Sequence, residues 1–275
     1  MTLISTTKGK KNWPNLVSLS LRNALRQPSL PNPNNSPAPY TWETWHTLTR
    51  LAAEEIHAAN PDVLIFLPGM DSGTNLTPLV QRLPLPPGNT TVFSPSSFAS
   101  MGGGDFLDKL VLEIQTFEPA QDCKIFESQL YDLGFETLDS ASAESSRNVL
   151  PLVMTQFGFL QSNGTYRNVY ATCLAEYLPR QRAGWMLWVL AGSYYVREEV
   201  FEAEEGMGVL DGDWEGWREP EYVEGVLKPM VEASLLGGGD DVKKDSGGEG
   251  RRVVEGRLWM FCVAFSMSFM LLSGR

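Results

Sequence analysis

TWETWHTLTRLAAEEIHAANPDVLIFLP, residues 41 to 68, carries the pattern on which the fold turns. Thr41 is a good N-cap residue, and behind it Trp42, Trp45, Leu48, Ala52 and Ile56 recur at helical spacing along one stripe. Asn60-Pro61 ends that helix, because proline lacks the amide donor and pushes the residue before it out of helical geometry. The run that follows, Val63 to Pro68, is almost continuously apolar, as a strand buried on both faces of a parallel sheet must be. A helix that feeds straight into a buried strand is one repeat of a βα architecture.

The same alternation extends in both directions. Apolar runs at Leu16 to Asn23, Leu110 to Phe117, Leu150 to Phe157 and Gly184 to Leu190 recur every 35 to 45 residues or so, roughly the spacing of parallel βα units. A second helix is expected near Asn168 to Leu178, ending at Pro179 and leading into the Gly184 run. Five such strands with helices between them predict an α/β fold, a sheet or most of a barrel. Trp185 and the α-helical tryptophans read as core residues.

Composition narrows the partners. With 22 Lys and Arg against 33 Asp and Glu the net charge is −11, which repels phosphate backbones and argues against nucleic acid. Two histidines and three scattered cysteines cannot assemble a zinc site, so neither a metal nor a cofactor is expected. Cys123 and Cys173 form a disulfide if the protein is oxidised and are otherwise two buried thiols. Asn34, Asn75, Asn89 and Asn163 stand in glycosylation sequons within polar or Gly/Pro-containing stretches. The N-terminus, MTLISTTKGKKNWPNL, has no apolar core of signal-peptide length, so cytosolic retention is the reading of the chain as it stands.

Residues 1–236 read as the folded unit. GGGDDVKKDSGGEGRR then opens a Gly-rich charged linker over 237–257, too poor in apolar surface to order itself. An apolar tail follows at 258–275, shorter than the roughly 20 residues a spanning helix needs. Ser246-Gly247-Gly248, the spacer and this tail resemble a GPI attachment signal, which would fix the protein to a membrane surface. The alternative is a read-through C-terminus.

Five segments, in order, resemble family 5 glycoside hydrolases, particularly fungal secreted members. WPNLVSLSLRNALRQP (Trp13 to Pro28) is similar to the family's fourth strand, which ends in Asn-Glu; here the pair is Asn23-Ala24. EEIHAANPDVLIF (Glu54 to Phe66) resembles the passage into the fifth strand. KLVLEIQTF (Lys109 to Phe117) holds Gln115 and Phe117 where relatives have a His-x-Tyr pair. PLVMTQFGF (Pro151 to Phe159) resembles the seventh strand, with Gln156-Phe157-Gly158 in place of Glu-Phe-Gly, and AGWMLWVLAGSYYVRE (Ala183 to Glu198) resembles the eighth, with Trp188 as its sugar-stacking tryptophan.

The resemblance runs from about Asn12 to Ala233 and implies a partial TIM (β/α)8 barrel, roughly strands four to eight. The family's first three strands and its secretion signal have no counterpart, and Glu202 to Gly208 is acidic where relatives place another loop. A barrel left open in this way exposes two sheet edges, which self-association would cover. The family hydrolyses β-linked glucans and mannans outside the cell, so the resemblance implies a β-linked oligo- or polysaccharide as ligand and an extracellular or cell-surface location.

It also implies impaired catalysis. The family's asparagine touches the sugar 2-hydroxyl, and its two glutamates act as acid/base and nucleophile. A retaining glycosidase needs both carboxyls, about 5 to 5.5 Å apart. Ala24, at the acid/base position, has no titratable atom, and Gln156, at the nucleophile position, is a neutral amide. Glu113 points the same way as Gln115 but lies about 6 to 7 Å deeper by strand geometry, as a buried structural acid. Asn23, Gln115, Phe117, Gln156 and Trp188 remain as the candidate sugar-binding residues, which favours a carbohydrate-binding pseudoenzyme; a surface spacer or interaction protein is the further alternative.

Overall fold

The helix read from residues 42–59 forms over Trp42–Ala59 (α1), with the Thr41 hydroxyl accepting from the Thr44 amide at 3.2 Å and Asn60 closing its end. The computed structural model describes residues 15–26, 40–82, 106–117, 119–139 and 148–236. The linker 237–257, the tail 258–275 and the sequons at Asn34 and Asn89 lie outside these residues.

Five strands pair in parallel and in chain order: β1 (Ser18–Ser20), β2 (Leu64–Pro68), β3 (Leu110–Thr116), β4 (Leu152–Phe157) and β5 (Gly184–Leu187). Each falls inside an apolar run read from the sequence, with the edge strands β1 and β5 trimmed at their ends. Parallel neighbours need crossovers, and the helices that supply them pack on one face. That face carries Ile65, Leu67, Leu112, Ile114, Leu152 and Met154, all of them core residues. By strand alternation the opposite, concave face carries Phe66, Val111, Glu113 and Gln115. The result is a curled half-barrel, an α/β partial barrel as expected.

The helical shell shows where local pattern and packing part. In α1 the buried stripe is Trp45, Thr49, Ala53 and Ile56, while Leu48 is 50% exposed. The stripe expected through Leu48 and Ala52 is therefore rotated by one residue. Trp45 sets this rotation, since its Nε1 donates to the Pro68 carbonyl at 2.8 Å from a fully buried position. Thr49 is tolerated inside because its hydroxyl donates back to the Trp45 carbonyl at 2.7 Å.

Two further helices stand side by side, α2 (Cys123–Leu133), capped by Asp122, and α3 (Val169–Arg180), capped by Asn168. Cys123 and Cys173 are joined as a disulfide between them, with Phe126 and Tyr170 rings 5.6 Å apart and Arg180 bridged to Glu127 at 2.5 Å. Pro179 does not end α3, as the sequence had suggested, but lies inside its last turn. So near the C-terminus the ring costs one hydrogen bond and leaves the final turn closed by Gln181, whose amide donates to the Tyr177 carbonyl at 3.0 Å.

After β5 the chain adds a two-stranded antiparallel hairpin, β6 (Ser193–Arg197) and β7 (Val200–Glu204), which the sequence reading did not separate from its acidic loop. A helical turn at Pro220–Tyr222 then runs through a π-turn into α4 (Lys228–Leu236). Trp185 is half-buried, packed edge-on to Phe157 at 6.0 Å with its Nε1 donating to Ser234 of α4 at 2.8 Å. This matches its reading as a packing residue.

Candidate functional site

The C-terminal ends of β1, β3 and β4 converge on one amide. Asn23 Oδ1 accepts from Gln115 Nε2 at 2.8 Å and from Gln156 Nε2 at 3.0 Å. Gln115 and Gln156, 92 and 133 positions from Asn23, thus join it in a single carboxamide cluster. The outer ends of parallel strands are where such folds gather their binding groups.

Gln156 arrives there by an irregularity. Ile114 pairs with Met154, yet the next residue, Gln115, pairs with Gln156, so Thr155 is an extra residue in β4. Met154 lies in the core under the helices, and strict alternation would have sent Gln156 to the same side. The bulge at Thr155 turns Gln156 over to the concave face.

Gln115 is held by the loop that follows β2, MDSGTN (Met70 to Asn75). Its backbone N–H donates to the Gly73 carbonyl at 2.8 Å, and Gly73, at φ +85°, lies so close that a Cβ there would meet Gln115 Cδ at 3.0 Å. The same loop ties to the strand carrying Asn23: Ser72 donates its amide to the Leu25 carbonyl at 2.7 Å, and Arg26 Nε donates to Ser72 Oγ at 3.3 Å. Gly73 and Ser72 were not singled out from the sequence. Their signal was the density of turn-forming residues in this stretch.

Ala24 follows Asn23 in left-handed backbone geometry, φ 45°, and presents only a methyl group. Phe117 and Trp188 both border Gly158, two residues past Gln156. The Phe117 ring comes to 3.5 Å from where a Gly158 Cβ would stand, and the Trp188 carbonyl to 2.1 Å, so only glycine fits. Phe117 is 41% exposed and Trp188 half-buried, its amide donating to the Phe157 carbonyl at 2.8 Å.

Below the amides sits Glu113, 3% exposed, accepting from the Ser20 hydroxyl at 2.5 Å. Burial pushes its carboxyl up to about 7, against the opposing pull of the Ser20 and Thr155 hydroxyls. Thr155 Oγ1 is near but completes no hydrogen bond, so Ser20 is the residue that holds the carboxyl. Among the described residues no cluster of metal-ligating side chains occurs.

The two described sequons differ. Asn75 is half-buried with both ends of its amide committed, donating to Asp71 Oδ2 at 3.0 Å and accepting from the Thr77 amide at 2.9 Å. Asn163 is exposed on a turn, at φ 53°.

No family model matches the chain. It is 31% identical over 218 residues to a glycosyl hydrolase 5 family protein of Chamaecyparis obtusa, an alignment covering 77% of this chain and 35% of that protein. The chain thus spans about a third of the length of that relative. Among solved structures it is similar to a β-glucanase of Saccharophagus degradans in complex with cellotetraose, at 14% identity and TM-score 0.52, covering 85% of this chain and 59% of the other. An endocellulase of Pyrococcus horikoshii, also with cellotetraose, aligns at 15% identity and TM-score 0.55 over 84% and 61%. The catalytic domain of the major endoglucanase of Xanthomonas campestris aligns at 16% and 0.51 over 86% and 61%. These structures share the fold.

Proposed function

The chain is a relative of the glycosyl hydrolase 5 family, and from that premise we propose that it binds a β-linked oligosaccharide without cleaving it. The observation that carries this reading is the shared acceptor, Asn23 Oδ1, bound by two glutamine amides with no carboxylate in the cluster. Three neutral amides retain unused N–H donors and carbonyl acceptors, which is what sugar hydroxyls require. The Phe117 ring, which borders Gly158, supplies apolar surface beside them, and on this reading the half-buried Trp188, whose backbone carbonyl meets Gly158, adds its indole as a second apolar face.

Hydrolysis needs a proton donor on the leaving oxygen and a carboxylate to attack the anomeric carbon. Ala24 and Gln156 occupy the positions that the sequence resemblance assigns to those groups, and neither can act so. General acid catalysis alone is worth about 10² to 10⁴ in rate. Glu113 is no substitute, because it is enclosed beneath the amides and engaged with Ser20.

The test is titration calorimetry of the purified chain with cellotetraose, alongside a reducing-sugar assay on soluble β-glucan. Binding without sugar release is expected. Release of reducing ends would overturn the non-catalytic reading, and absence of heat at millimolar ligand would overturn binding.

The Cys123–Cys173 disulfide supports an oxidising, extracellular or cell-surface setting for this activity, and Asn163 is the described sequon whose exposure suits a glycan. Mass spectrometry of the protein from its native source, with and without glycosidase treatment, checks both.

A further inference from the structure

The hairpin that follows β5 carries a pair of aromatic rings turned out to solvent. Tyr195 is 83% exposed and Phe201 68%, and their ring centroids stand 5.9 Å apart at 90°. Strict alternation would put them on opposite faces, since Phe201 pairs with Val196. Glu202, at φ 52°, breaks the alternation of β7, and the rings meet.

This exposure is built on a fixed base. Glu205, buried at 6%, accepts from the Tyr194 hydroxyl, from Arg197 at 2.9 Å and from the Met207 amide at 3.0 Å. The hairpin also grows from the rim of the amide site: beyond Trp188, Val189 accepts from the Val209 amide at 2.9 Å and Leu190 from that of Leu210 at 3.1 Å. Its turn is strained, with Glu198 and Glu199 both left-handed at φ 51° and 68°. Non-glycine residues held in that region gather at functional sites.

We propose that Tyr195 and Phe201 form a second carbohydrate contact, a stacking surface that extends the amide site for a polymeric, uncharged β-linked glucan. The inference rests on the reading of the amide cluster as a sugar site. Exposed rings on a rigid support take the apolar C–H face of a pyranose at little entropic cost. Glu198, Glu199, Glu202 and Glu204, all exposed around the rings, accept hydrogen bonds from hydroxyls and repel anionic polymers and anionic lipid surfaces. An uncharged, hydroxyl-rich chain satisfies both conditions.

The experiment compares the full chain with the Tyr195→Ala/Phe201→Ala variant and with Asn23→Ala, using cellotetraose in calorimetry and barley β-glucan in affinity electrophoresis. Circular dichroism melts confirm that each variant folds, and Tyr195→Trp serves as the conservative control. The hairpin variant is expected to lose about tenfold or more in polymer retention while cellotetraose affinity holds, and Tyr195→Trp to keep retention. Retention unchanged in the hairpin variant but lost in Asn23→Ala overturns the stacking surface and leaves the amide site standing. Retention lost in the hairpin variant, with cellotetraose binding absent throughout, upholds the surface and overturns the amide site. Binding of polylysine with no retention on glucan overturns the proposal and marks the hairpin as a dock for a basic protein.

Discussion

Gln156 donates from Nε2 to Asn23 Oδ1 at 3.0 Å, joining the end of β4 to the end of β1 across three intervening strand pairings. The side chains of Asn23, Gln115 and Gln156 are all neutral carboxamides, so the cluster holds no titratable group. Cellotetraose affinity should therefore be flat between about pH 4 and 6, where Glu113 stays protonated as well. Gln156→Glu should introduce a pH dependence centred near the ordinary carboxylate range, read by calorimetry across that interval. A sloping profile in the parent chain would contradict a neutral site.

Glu113 makes fold stability depend on pH in the opposite sense to a salt-bridged acid. Its carboxyl is raised from 4.5 to about 7, so the native state holds a proton that the unfolded state has released. Stability is fully present below 4.5, falls as pH rises towards 7, and is level above. Glu113→Gln, which keeps an acceptor for Ser20, should abolish the slope and raise the melting temperature at pH 8, checked by denaturation at several pH values.

Gly158→Ala should displace the Trp188 backbone, because the added methyl would lie 2.1 Å from its carbonyl oxygen. A loss of about 1–3 kcal/mol, as for other overpacked sites, is expected by chemical denaturation, with weaker cellotetraose binding as the Trp188 backbone shifts.

Cys123→Ala/Cys173→Ala should cost about 2–4 kcal/mol, since the bridge closes a long loop, 50 residues in separation. The measurement is denaturant unfolding beside the parent with and without reductant. Reductant should bring the parent to the variant's midpoint.

Glu198→Asn/Glu199→Gly should stabilise the hairpin. Both turn residues are left-handed, and asparagine-glycine suits that geometry where glutamate is strained. A gain of about 1 kcal/mol is expected in amide hydrogen exchange of β6 and β7.

The alternation of strands and helices was legible in the chain because burial on both faces leaves continuous apolar runs, and helices leave a 3.6-residue period. The identities of Ala24 and Gln156 were equally plain: a methyl group and a neutral carboxamide, neither of which titrates. What the tertiary structure decided is orientation. The Thr155 bulge turns Gln156 towards Asn23, the Trp45 bond to Pro68 rotates α1 so that Thr49 and Ala53 rather than Leu48 are buried, and the neighbouring helices bring Cys123 to Cys173. In the hairpin, Glu198 and Glu199 form a tight turn that their own preferences oppose. The bulge, the rotation of α1 and the disulfide each depend on partners remote in sequence, and periodicity along one segment reports only how that segment meets solvent, not which way a neighbouring strand makes it face.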